Sequence, residues 1–158
     1  MSDRKPPRLE GSEREVLHEL WQFQRESLVR KIAGVSEAAA RQAIVDSGTS
    51  LLWLLKHMER AEALWILRRF GGLDVELPDD TVTPADSVAQ ACASYQASWS
   101  RIDSVIDDAR SLDESCQDVG NESPVNLRWV LMHLLEETAR HAGHADILRE
   151  LIDGQTGR

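Results

Sequence analysis

Along the chain, apolar residues return every three or four positions over four long stretches, the mark of amphipathic helices. The first follows Ser12 and Glu15, a capping box, and carries Val16, Leu17, Leu20, Trp21, Phe23 and Leu28 before stopping at Gly34. A short helical turn is expected over 36–44. The second begins at the S-G-T-S cluster, residues 47–50, and runs through Leu54, His57, Met58, Ala61, Leu64 and Trp65 to Phe70, where Gly71 and Gly72 end it. After an Asp- and Pro-rich loop over 73–83, Thr83 and Pro84 supply a cap and an N1 proline for the third. Its core face reads Val88, Cys92, Tyr95, Trp99, Ile102 and Ile106. A polar loop with Gly120 and Pro124 leads into the fourth, from Asn126 to Ile152, closed by Gly154.

No repeat and no strand pattern interrupts this sequence. The pattern predicts an all-α four-helix bundle, with helices near 14–33, 49–70, 84–110 and 126–152. A disordered tail is expected over 1–11 and the bundle over 12–155. The link between helices one and two is about 15 residues, long enough to cross over the bundle.

Composition narrows the function. A chain of 158 residues is one ordinary domain, and 42% hydrophobic with 28% charged residues is a soluble, globular balance. No apolar run approaches the ~20 residues a membrane span needs, and M-S-D-R-K-P-P has no signal-type apolar core. The expectation is a cytoplasmic protein without a membrane partner. A net charge of −9 works against binding a phosphate backbone, so nucleic acid is not an expected partner. Cys92 and Cys116 form no C-x-x-C pair and are expected as reduced thiols, Cys92 in the core.

The chemistry concentrates in H-L-L-E-E-T-A-R-H-A-G-H, residues 133–144. At about 100° per residue, His133, Glu137, His141 and His144 fall within roughly a quarter-turn. The same sector carries Trp129, Val130, Leu134, Ile147, Leu148 and Leu151. Burying such polar groups unpaired would cost several kcal/mol, and a divalent cation would satisfy them together. Glu137 and His141, four apart, can grip one ion from a single helix. His57 points into the bundle from helix two and can close a set of two nitrogens and one oxygen. Three protein ligands leave a coordination position open, as catalytic zinc sites do. The same residues also allow plainer roles. His57 can be a hydrogen-bonded core histidine, and Glu137 an ion-pair partner of Arg140 or Arg128. His133 is expected in the core or against Glu137, His18 at the surface without a partner, and Trp53, Trp65 and Trp129 in the core. Arg140 either meets an anionic substrate at the pocket mouth or is a solvated helix-surface residue.

The segments E-E-T-A-R-H-A-G-H-A-D-I-L-R-E and S-G-T-S-L-L-W-L-L-K-H-M-E resemble the DinB superfamily of metal-binding four-helix bundles. Within it they are similar to the actinobacterial branch related to the metal-binding domain of mycothiol-dependent maleylpyruvate isomerase, over about residues 12–155. The 15 Arg against 3 Lys agree with a GC-rich source of that kind. The resemblance implies one ligand from the second helix and two, four apart, from the last: His57, Glu137 and His141, holding Zn²⁺ or another divalent ion such as Ni²⁺. Many members continue the last helix as H-x-x-x-H-R-G-Q. Here the final three positions are Ala142, Gly143 and His144, so a histidine replaces the glutamine and becomes a supporting group, an alternate ligand or a proton carrier. The implied activity is transfer or isomerisation by a low-molecular-weight thiol such as mycothiol acting on small electrophiles, in a homodimer. The alternatives are a dimeric bundle that binds metal or ligand without turnover, and a hydrolase using metal-bound water.

Overall fold

The computed structural model describes residues 4–156, and its regular structure is all helical, with no strand among them beyond a single bridge between Ser115 and Asn126. Of the tail expected over 1–11, residues 1–3 lie outside the described residues, and 4–11 carry no helix. Helix α1 spans Glu13–Ile32, α2 Glu37–Arg41, α3 Leu51–Glu62, α4 Val88–Asp107 and α5 Leu127–Asp153; a π-helical segment, Ala63–Phe70, continues α3. The capping box is formed: Glu15 N–H donates to Ser12 Oγ at 3.3 Å, and Ser12 N–H donates to Glu15 Oε2 at 2.7 Å. Ser50 and Asn126 cap α3 and α5, and Gly154 closes α5 at φ +72°, a left-handed conformation that favours glycine.

Two expectations are corrected here. Helix α4 begins at Val88, not near 84. The Thr83 N–H and hydroxyl both donate to the Asp86 carboxylate, at 2.6 and 2.9 Å, and the Asp86 N–H donates back to Thr83 O. That closed turn consumes the expected cap, and Ser87 caps the helix in its place. The lengthwise crossing also falls elsewhere than between helices one and two. Glu13 meets Arg128, Trp21 meets Thr138 and Lys31 meets Asp146, so α1 and α5 run parallel. Lys56 meets Asp86 and Glu62 meets Tyr95, so α3 and α4 also run parallel to each other. His57 and Trp65 meet Glu137 and His133, so the two pairs are antiparallel. The order is up-down-down-up, and the segment that must climb the bundle is the one between the π-helical segment and α4.

That climb is held by a basic row on one face of α3 and its continuation. Arg68 donates to Val75 O, Arg60 to Pro78 O at 2.8 Å, and Lys56 to Thr81 O. The loop is therefore laid antiparallel along α3, and its acidic residues are brought to defined heights on that helix.

The core lies in two layers. One gathers Leu28, Ile32, Leu51, Leu54, Leu55, Met58, Ala145 and Leu148; the other Trp21, Ile66, Phe70, Ile102, Ile106, Leu127, Val130 and Leu134. Each fully buried large apolar side chain contributes about 1.5–3 kcal/mol. Between the layers lies a polar belt. Arg25, fully buried, donates three bonds to the Glu62 carboxylate at 2.8–3.2 Å and packs its guanidinium 3.5 Å over the Trp21 ring. Tyr95 donates to the same carboxylate at 2.6 Å.

Candidate metal centre

Two helices bring three ligand-type atoms together. On α5, a spacing of four sets Glu137 and His141 one turn apart, with His141 Nε2 3.0 Å from Glu137 Oε1. From antiparallel α3, His57 Nε2 reaches the same oxygen at 3.6 Å. The His57 and His141 rings stand 5.0 Å apart, nearly perpendicular. One ligand atom from each residue lies within 4.8 Å of the others. Two metal–ligand bonds of about 2.1 Å at a tetrahedral angle put their donor atoms about 3.4 Å apart, so a first-row divalent ion fits between these residues with small side-chain adjustments. Two imidazoles and a carboxylate are also the donor set such ions take.

The electrostatics prepare the atoms for a cation. Burial pushes the Glu137 carboxyl up, but His141, His57 and Arg140 outweigh it and hold it below its ordinary range. Burial holds the His141 imidazole below its usual value against the pull of Glu137. The pair therefore offers a carboxylate and a neutral imidazole near neutral pH, the protonation states a metal needs.

The surroundings orient the ligands. Trp53, one turn before His57, stacks on its ring at 4.6 Å and 16°, and stands edge-on to His141 at 6.1 Å. Behind His57, Asp80 Oδ2 lies 3.6 Å from Nδ1. A carboxylate there favours a proton on Nδ1 and leaves Nε2 free to ligate. Asp80 comes from the climbing loop, 23 positions from His57 and in no motif with it. The only trace of it in the sequence is the basic row Lys56, Arg60 and Arg68, facing a loop that carries Asp74, Glu76, Asp79 and Asp80.

The other residues singled out in the sequence scatter. His144 is exposed, its Nδ1 3.4 Å from His141 Nδ1, and it lines a pocket of about 210 Å³ with Val45, Ser47, Thr49, Ile147 and Leu148. His133 stacks on Trp129 at 5.0 Å and meets the edge of Trp65 at 4.9 Å; no hydrogen bond joins it to Glu137 among the described residues. Arg140, half exposed, pairs with both Glu136 and Glu137, at 3.3 Å for the latter. Arg128 is bound elsewhere, to Glu13 and Asp113. His18 is not a lone surface residue: its Nε2 lies 3.2 Å from Asp103, which Arg25 also holds at 3.0 Å. The apolar stripe of α5 is only half buried. Val130, Leu134 and Leu148 are inside, while Trp129, Ile147 and Leu151 are 44%, 59% and 64% exposed. The buried face of α5 centres on Thr138, Ala142 and Ala145 instead, and the ligand pair sits at its border. Trp129 is thus no core residue.

Comparison with known proteins agrees with this picture. Residues 16–154 match the family model described as mycothiol-S-transferase. Among solved structures, the fold is similar to the crystal structure of the conserved protein of locus from Enterococcus faecalis, with a TM-score of 0.65 at 20% identity, covering 92% of this chain and 100% of that one. At that identity the likeness speaks to the fold alone. A search of curated proteins finds no match. Among the described residues no helix is long and apolar enough to cross a membrane. The chain belongs to the mycothiol-S-transferase family, a DinB-like family of all-α bundles.

Proposed function

We propose that this member of the mycothiol-S-transferase family joins a low-molecular-weight thiol of the mycothiol type to small electrophiles, using a divalent cation, Zn²⁺ in the first place, held by His57, Glu137 and His141. The observation that carries it is the convergence of those three ligand atoms within 4.8 Å from two helices. When bound, such an ion supplies the acidity that turns a coordinated thiol, with a pKa near 8.5, into a thiolate at neutral pH.

The chain's own groups do the rest. His57 and His141 present Nε2 and Glu137 presents Oε1, while Asp80 and Trp53 fix the His57 ring in that orientation. His144 Nδ1 lies 3.4 Å from His141 Nδ1, placed to take a hydrogen bond from that nitrogen when Nε2 of His141 is committed to the ion. Arg140 holds the free oxygen of Glu137 at the rim. The pocket beside His144, walled by Val45, Ile147 and Leu148, receives the apolar part of a compact electrophile and excludes water from it. The thiolate sulfur forms a bond to the electrophilic carbon, the leaving group departs with its electron pair, and the thiol proton passes to solvent.

Glu137→Gln tests this. It keeps the size and polarity of the side chain but removes the charge that balances the dication. Metal content by elemental analysis and conjugation of mycothiol to monochlorobimane should fall together, with metal affinity down at least about 100-fold. Conjugation at the uncatalysed rate in metal-loaded wild-type protein would overturn the transferase assignment. Full metal occupancy in His57→Ala and His141→Ala would overturn the ligand set.

A further inference from the structure

Helix α5 carries an outward apolar face besides the one it buries. At about 100° per residue, Trp129, Met132, Ile147 and Leu151 share an arc of about 100°, and they are 44–64% exposed. From Trp129 to Leu151 the face runs about 33 Å. Its ends are apolar and its middle is charged: Glu136 and Arg140, paired with each other, lie in the same arc, and the exposed His144 borders it. Four large apolar side chains aligned on the outside of one helix are the mark of an unfilled interface rather than of scattered surface residues.

We propose that this face packs against the same face of a second copy of the chain, with the two α5 helices antiparallel about a two-fold axis at Arg140. The spacing sets that register. Trp129 and Leu151 stand eleven residues before and eleven after Arg140, and Met132 and Ile147 stand eight before and seven after it. A two-fold axis there lays each apolar end on the opposite apolar end of the other copy, Trp129 on the partner's Leu151 and Ile147 on the partner's Met132. The charges set the direction. In the antiparallel pair Glu136 faces the partner's His144 and lies one turn from the partner's Arg140. The two Arg140 side chains meet near the axis, each flanked by a glutamate from either copy, so the four charges sum to zero. A parallel pair would instead set Glu136 directly against the partner's Glu136, a like-charge contact that disfavours it. The size is also informative. A strip about 33 Å long and about 15 Å wide on each copy buries on the order of 1,000 Å² in total, the small end of specific interfaces. The dimer is therefore one that exchanges with monomer. It also bears on the pocket beside His144, whose wall includes the exposed Ile147. The partner's Met132 and the partner's Glu136 come over Ile147 and His144, and close a side that one chain leaves open.

Light scattering on the full chain at about 100 μM should give twice the 17.7 kDa chain mass, falling towards that mass on dilution below about 1 μM. Ile147→Glu puts a charge into both apolar ends and should leave only monomer, with the thermal melt unchanged because the side chain is exposed. Arg140→Glu should weaken association about tenfold or more, and adding Glu136→Arg should restore most of it, since the charged ring is rebuilt with its signs exchanged. Nitroxide labels on Glu150→Cys, with Cys116→Ser to keep labelling specific, should lie about 30 Å apart along the helix axis in the antiparallel pair, against about 10 Å in a parallel one. Metal-free Glu137→Gln should dimerise as wild type does, so a failure of conjugation in a protein that still dimerises would count against the transferase reading alone. A monomer at the highest concentration, or a dimer that Ile147→Glu leaves intact, would overturn the interface. The short label distance would overturn the two-fold axis at Arg140.

Discussion

The polar belt and the candidate metal centre are both charged clusters set inside an apolar bundle, and they solve the cost of burial in opposite ways. In the belt every strong acceptor has a donor. Glu62 takes three bonds from Arg25 and one from Tyr95, and Asp103 takes one from Arg25 while facing His18. Burial pushes the Glu62 carboxyl up and works against the Arg25 charge, but Glu62 and Asp103 outweigh it and hold Arg25 above its ordinary value. Burial, reinforced by Glu62, keeps the Tyr95 phenol well above its usual range and so in its donor form. In the metal centre the balance is left open. One carboxylate oxygen faces two imidazole nitrogens at 3.0 and 3.6 Å, and only one of those contacts has hydrogen-bond geometry. Buried charge is thus not itself the sign of a site. A surplus of converging acceptors is.

Breaking the belt should give the largest effect. Arg25→Met leaves the Glu62 carboxylate buried without its partner, and such a loss costs about 3–5 kcal/mol. Denaturant unfolding of the metal-free protein should show it as a lowered midpoint. Adding Glu62→Met should recover most of the loss, because removing both charges costs far less than orphaning one. Metal affinity should stay unchanged wherever the variant is folded. A mild loss in the single variant would mean that water reaches Glu62 and the belt is not closed.

In the candidate metal centre the instructive change is one step behind the three converging residues. Asp80→Asn preserves the loop's shape but removes the charge 3.6 Å from His57 Nδ1. Metal affinity should fall about 10–100-fold, with little change in unfolding of the metal-free chain. An unaltered affinity by competition with a chelating dye would reduce Asp80 to a surface neighbour of His57.

Most of the fold and the three converging residues were legible in the sequence because both rest on local periodicity. A spacing of four makes Glu137 and His141 neighbours whatever the rest of the chain does, and the inward face of helix two places His57. The failures have two causes, a competing local turn in one case and long-range partners in the rest. Thr83 was taken from the cap by Asp86, three residues on but outside the helix pattern. Asp80 reaches His57 only because the bundle runs up-down-down-up and the loop must climb it. His18 and Asp103 meet across α1 and α4, 85 positions apart, and nothing near either residue announces the other. Trp129 is on the apolar stripe but outside the arc that α1 and α3 cover, and hydrophobicity alone does not locate that border.

The two clusters should also answer pH with opposite signs, the smallest and sharpest form of the contrast. At the belt's rim, His18 is raised from its ordinary value, chiefly by its hydrogen bond to Asp103, while His18 and Arg25 hold Asp103 low despite its burial. A histidine that binds its proton more tightly when folded stabilises the native state below its unfolded pKa of about 6.5, and that contribution is lost as pH rises through the higher folded value. His141 is depressed instead. The unfolded chain binds its proton first, so its contribution is complete above about 6.5 and is lost as pH falls towards the folded value. His18→Gln separates the two. The gap in metal-free stability between wild type and His18→Gln should be up to about 1 kcal/mol in mild acid and should close above the His18 folded pKa, while the acid-side loss from His141 persists in both proteins. A gap that stays constant across that range would mean that His18 pairs with Asp103 as a neutral imidazole, and that the belt carries no titrating group at its rim.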